Sequence, residues 1–101
     1  MLYLVDIQVN KSELLDPEQW EALAQAESDY GIEARRNGKQ LHIWRKAGAY
    51  AAVAVWDAED NAELHELLSG LPLFHFLDIT VSPLVEHPST IRWAKIQAGE
   101  E

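Results

Sequence analysis

The chain has 101 residues, enough for one domain and no more. Seventeen acidic against eight basic residues leave a net charge of −9, which argues against binding nucleic acid or anionic membrane through the whole surface. Cysteine is absent, which excludes disulfides, thiolate nucleophiles and cysteine-ligated metals.

Leu2 to Asn10 alternates as a strand should, with Tyr3, Val5, Ile7 and Val9 on one face and Leu2, Leu4, Asp6 and Gln8 on the other. Asp16-Pro17-Glu18-Gln19 starts a helix: Asp16 caps, Pro17 suits the first turn, and Gln19 sits where a capping box needs its reciprocal group. The helix is predicted to run to about Arg36, stopped by Asn37-Gly38, with Trp20, Leu23, Ala24, Tyr30, Gly31 and Ala34 as its apolar stripe. Leu41 to Lys46 reads as a second strand, Ala47-Gly48 as a tight turn and Ala49 to Trp56 as a third strand.

The third strand is apolar on both faces, with Val53 and Val55 on one and Ala52, Ala54 and Trp56 on the other. An antiparallel sheet covered by helices on one side should have one wet face, so a partner subunit is the expected cover for the second. A 48% hydrophobic composition with four tryptophans points the same way, because a chain this short builds only a modest core. Asp60-Asn61-Ala62-Glu63 reads as a second capping box, opening a short helix that ends at Gly70, with Leu64, Leu67 and Leu68 facing the core. Phe76 to Val81 is the fourth strand, and from Pro83 onward the chain is an arm in which Pro88 to Ile96 can form a helical turn or two.

The order is β-α-β-β-α-β, so the expected fold is α+β and ferredoxin-like: a four-stranded antiparallel sheet with two helices on one face and a C-terminal arm. The expected division is a domain over 1–84 and an arm over 85–101 that docks on a neighbouring subunit, since Trp93 and Ile96 need an apolar resting place. No apolar run nears the ~20 residues of a membrane span, and Met1 leads directly into strand-like sequence, so a cytoplasmic protein is expected.

Glu27 is the most informative position. Trp20, Leu23, Glu27, Tyr30 and Ala34 follow spacings of 3, 4, 3 and 4, so a carboxylate projects from the apolar stripe. It is either a helix-edge acid that reaches solvent or an arginine, or a general base in a pocket between helix and sheet. Burial there would raise its pKa from about 4.3 toward the ~6–7 suited to proton abstraction at neutral pH. Trp44 and Tyr50 lie where a pocket rim would be, and His65 flanks the leucine face of the short helix; each also has a plain packing reading. His42, His65, His75 and His87 show no metal-ligand spacing, and no phosphate loop, nucleophile elbow or basic patch is present.

Several blocks resemble the muconolactone Δ-isomerase family: Met1-Leu2, Asp16-Pro17, Glu27 with Tyr30, His42-Ile43-Trp44-Arg45, and Gly48 with Tyr50-Ala51. So do Asn61 with Glu63-Leu64-His65, the run from Leu67 to Phe74, Pro83-Leu84 and His87-Pro88-Ser89, with no gap from residue 1 to about 90. The resemblance implies ferredoxin-like subunits assembled into homodecamers, with pockets near subunit contacts. It implies a cofactor-free, metal-free isomerase of aromatic catabolism, in the β-ketoadipate route, that converts muconolactone to the 3-oxoadipate enol-lactone; relatives eliminate chloride from chlorinated muconolactones. Such a reaction needs one base of tuned pKa and donors for a developing oxyanion. Glu27 then becomes the candidate base, Tyr50 the donor to the lactone oxygen and His65 an orienting or proton-exchanging group. Tyr30, Trp44, Arg45, Ala52 and Phe76 become the candidate substrate contacts.

Four positions depart from the family pattern. Ser28 stands where a lysine follows the glutamate, Ala52 where an asparagine is expected, Asp6 in place of an arginine, and His75-Phe76 in place of Pro-Tyr. Losing a charge-assisted hydrogen bond in a pocket costs roughly 1.5–3 kcal/mol. Arg45, and Arg35 or Arg36, are the cations placed to compensate. A different cofactor-free enzyme with a less polar substrate, and a non-catalytic binding or assembly protein, are the competing readings of the same scaffold.

Overall fold

A computed structural model describes residues 1–100. Strands β1 (Leu2–Val9), β2 (Gln40–Arg45), β3 (Ala51–Asp57) and β4 (Leu77–Leu84) form one sheet in the order β2-β3-β1-β4, with every neighbouring pair antiparallel. Helices α1 (Pro17–Arg36) and α2 (Asn61–Ser69) connect β1 to β2 and β3 to β4, each crossing a strand that belongs to the other unit. That interleaving is the ferredoxin-like plan. A single 3₁₀ turn (Phe74–Phe76) precedes β4, and a third helix, α3 (Pro88–Gln97), follows it.

The start of α1 is as its sequence predicts. The Asp16 side chain accepts from the Gln19 N–H at 2.8 Å, and the Gln19 side chain accepts from the Asp16 N–H at 2.9 Å. At α2 only half of the expected box exists. Asp60 accepts from the Glu63 N–H, but the Glu63 carboxylate accepts instead from the Glu59 N–H and from Lys39 Nζ, both at 3.0 Å. The nearby ammonium, on the residue just before β2, competes for the carboxylate that the box would have used.

One face of the sheet carries the core. Tyr3, Val5 and Ile7 of β1 and Ala54 and Trp56 of β3 pack with Ala34 of α1, Leu64 and Leu68 of α2 and Leu71 of the following loop. The strands begin and end within three residues of their predicted bounds, and α3 is longer than the turn or two expected. The opposite sheet face is mixed. Leu4 lies opposite Val55 and Asp6 opposite Val53, Asp6 pairs with Lys46, and Trp44 stacks on His42 with ring centroids 5.2 Å apart. Leu4, Val53 and Val55 are only half-buried, and every described residue from Val81 onward is exposed. The chain is accordingly long, 60 × 30 × 21 Å.

Candidate functional site

Between α1 and the core face of the sheet lies a cavity of about 510 Å³. That is within the range of about 300–1,000 Å³ typical of small-molecule sites. Helix α1 lines it along one stripe, because Glu27, Gly31 and Arg35 recur every four residues. Ile43 and Arg45 of β2, Ala52 and Trp56 of β3 and Ile7 of β1 form the sheet wall, and Leu71 and Leu73 close the side toward α2.

Glu27 is half-buried in this largely apolar space. Its Oε1 accepts the backbone N–H of Leu73 at 3.1 Å. Burial raises the carboxyl above its ordinary value of 4.5, and the Leu73 N–H, which favours the ionised form, pulls against that rise. Tyr30, one turn along α1, is also raised, first by burial and then by the nearby Glu27 charge. Its hydroxyl donates to the Leu67 carbonyl at 2.6 Å.

Gly70 explains how Tyr30 and the loop can come so close. A Cβ at Gly70 would sit 2.7 Å from the Tyr30 hydroxyl oxygen, well inside van der Waals contact. Three of the four residues in the run Gly70-Leu71-Pro72-Leu73 thus have a physical reason. Glycine admits the tyrosine, two leucines anchor the loop in the core, and the second presents its N–H to Glu27.

At the other side of the cavity, Trp20 Nε1 donates to the Tyr50 hydroxyl at 3.4 Å, and the Arg45 guanidinium lies 5.2 Å from the Tyr50 ring centroid. Tyr50 is 45% exposed, so it stands at a mouth rather than in the interior.

Of the residues singled out in the sequence, Glu27, Arg45, Tyr50 and Ala52 line the cavity together. Arg35 lines it too, and the remaining candidate contacts are placed elsewhere in the chain. Tyr30 turns its hydroxyl to Leu67, and Phe76 packs edge-on against Trp20 at 5.5 Å. Trp44 is carried by strand alternation to the opposite sheet face, where it pairs with Val53. His65 follows the buried Leu64 on α2 and is exposed. Ser28 lines the cavity, whereas Asp6 lies on the far sheet face and His75 is exposed.

Sequence reasoning missed Gln40, Trp56 and the Leu73 N–H. Gln40 is 6% exposed and is the one buried polar side chain among the described residues. Simple alternation back from Arg45 and Ile43 would put Leu41 on the inner face, but a register irregularity between Gln40 and His42 turns Gln40 inward and leaves Leu41 exposed. No residue pattern announces that bulge. Among the described residues, no three of His, Cys, Asp and Glu come together in a way that could hold a metal ion. No helix is long and apolar enough to cross a membrane.

Comparison with known proteins gives one consistent result. A family profile described as muconolactone delta-isomerase matches residues 1–90. Muconolactone Delta-isomerase 1 of Acinetobacter lwoffii is 42% identical over 92 residues, covering 91% of this chain and 96% of the relative. The Cupriavidus pinatubonensis muconolactone Delta-isomerase is 40% identical over 91% of this chain and 100% of its own length. A crystal structure of muconolactone isomerase superposes with a TM-score of 0.85 at 37% identity, covering 90% of this chain and 95% of that one.

Proposed function

Because the chain belongs to the muconolactone Δ-isomerase family and is an isomerase of that kind, we propose that it moves the ring double bond of muconolactone, or of a closely related unsaturated lactone, by removing and returning one proton. Glu27 is the base. It takes a proton from a ring carbon, the electron pair delocalises through the unsaturated lactone onto the carbonyl oxygen, and Glu27 returns the proton two carbons along. The product is the enol-lactone, and the step needs neither metal nor organic cofactor.

The observation that carries this reading is a half-buried carboxylate in an apolar cavity of substrate size, raised above 4.5 by burial and held by a single backbone N–H. That N–H fixes one oxygen, and the other has no hydrogen bond among the described residues. Tyr50 is the candidate donor to the lactone oxygen, with its own oxygen already accepting from Trp20. The deciding experiment is ultraviolet absorbance of muconolactone with the parent and with Glu27→Gln. Turnover by the parent, lost in the variant, supports the reading; equal turnover in both sinks it.

Ala52 on the cavity wall favours one competing reading, a cofactor-free enzyme with a less polar substrate. Faster turnover of a lactone lacking the carboxylate than of muconolactone would establish that reading instead. We also infer a cytoplasmic homo-oligomer, a decamer by family resemblance. The half-buried sheet face and the exposed Ile91, Trp93 and Ile96 of α3 are the surfaces that support self-assembly.

A further inference from the structure

We propose that Arg35 and Gln40 form a carboxylate-binding subsite at the end of the cavity remote from Glu27, which fixes the acidic arm of the lactone. The inference rests on the isomerase reading of the same cavity and names the group that orients its substrate.

Three observations converge. Arg35 has no carboxylate partner among the described residues, and its Nε donates to Gln40 Oε1 at 3.4 Å. That bond fixes which way the amide lies: the oxygen faces the guanidinium, and the NH₂ makes no hydrogen bond among the described residues. The second is Trp56, the cross-strand neighbour of Gln40, which is 1% exposed and lines the cavity. Its Nε1 is buried with no acceptor among the described residues. That nitrogen is sealed from the cavity, so Trp56 contributes its ring, and not its N–H, to the wall beside Gln40. Guanidinium and amide NH₂ are both donors on the cavity wall, and unmatched donors around one positive charge select a carboxylate.

The third observation is spacing. Arg35 lies eight residues beyond Glu27, about 12 Å along the helix axis, and side chains on a helix lean toward its N-terminus, so Arg35 leans back over the cavity. Gly31 lies between the two, where a Cβ would be in ordinary van der Waals contact with the Gln40 amide at 3.9 Å, and one cavity spans both base and subsite. It suits a five-membered lactone with a short carboxylate arm: reacting carbon toward Glu27, arm toward Arg35. Ser28 stands between them on the helix and adds no charge, so the cation that holds the substrate is supplied two turns further on.

The test is calorimetric binding of a non-reacting probe, muconolactone with its ring double bond reduced, alongside its methyl ester. The parent should bind the acid more tightly than the ester. Arg35→Met and Gln40→Leu should each weaken the acid about 10- to 100-fold and leave the ester unchanged. Arg35→Lys should retain most of the acid's affinity, and Arg36→Met, at the exposed helix end, should change nothing. The proposal is overturned if the parent does not distinguish acid from ester, if Arg35→Met and Gln40→Leu bind the acid within threefold of the parent, or if the loss appears in Arg45→Met instead. Acid binding that depends on Arg35, without turnover of muconolactone, would sink the isomerase reading and leave the subsite standing. Turnover with no such dependence would sink the subsite alone.

Discussion

The Glu27 carboxylate and the Leu73 backbone N–H, 46 positions apart in the chain, meet at 3.1 Å. This one bond ties the middle of α1 to the loop after α2 and holds the proposed base in the cavity. Replacing Glu27 by Gln keeps an oxygen for Leu73 but removes the base. General-base catalysis is worth about a hundred- to ten-thousand-fold, so Glu27→Gln should lose at least that much kcat with little change in KM. Steady-state absorbance kinetics read both.

The raised Glu27 carboxyl also sets two opposite pH dependences. The proposed mechanism needs the ionised form, so kcat/KM should fall toward acid with a midpoint above 4.5. Stability runs the other way. The folded chain binds this proton more tightly than the unfolded chain, so the contribution is complete below the ordinary carboxylate range and is lost as pH rises through the raised value. Urea denaturation should therefore find Glu27→Gln more stable than the parent at neutral pH, with the difference shrinking in acid.

Gly70 and Tyr30 should be coupled. Gly70→Ala drives a methyl group to 2.7 Å from the tyrosine oxygen and should cost about 1–3 kcal/mol. Tyr30→Phe should cost about 0.5–1.5 kcal/mol for the lost bond to Leu67. In the double variant the clash is relieved, so the total should fall short of the sum. A double-mutant cycle by denaturant melts measures the difference.

How much of this was legible in the residues depends on range. The capping box at Asp16, the stripe on α1 and the alternation of β1 are local, and each predicted element stands close to where it was placed. Glu27 was readable because it breaks an apolar helical period. Gln40 was not, because its inward turn depends on a bulge, and Trp56 reads equally well as plain core. Leu73 contributes a backbone group, to which side-chain patterns are blind. Trp44 was misleading for the opposite reason: its aromatic character suggests a pocket, but its parity on β2 sends it to the other face.

Tyr50→Phe separates a chemical role from a packing one. The ring would still stack under Arg45, and only the hydroxyl, which accepts weakly from Trp20 at 3.4 Å, is lost. If the hydroxyl donates to the lactone oxygen, kcat should drop about a hundredfold while the melting temperature barely moves. Thermal denaturation and kinetics on one preparation decide it.

Leu4 and Val55 are cross-strand neighbours on the outer sheet face. Introducing Leu4→Lys and Val55→Lys together places two like charges side by side on the surface proposed to meet a neighbour. Sedimentation velocity should then find a folded species of lower mass than the parent. An unchanged mass would remove this face from the assembly.

Helix α3 carries Trp93 at 59% exposure on an arm whose described residues all face solvent. On the proposal that this arm docks on a neighbouring copy, compaction of the body and capture of the arm are separable events in time. After dilution from denaturant, the first should proceed at a rate indifferent to protein concentration, and the second should accelerate with it. Trp93 emission, moving to shorter wavelength as the indole leaves water, would serve as the clock for that second event.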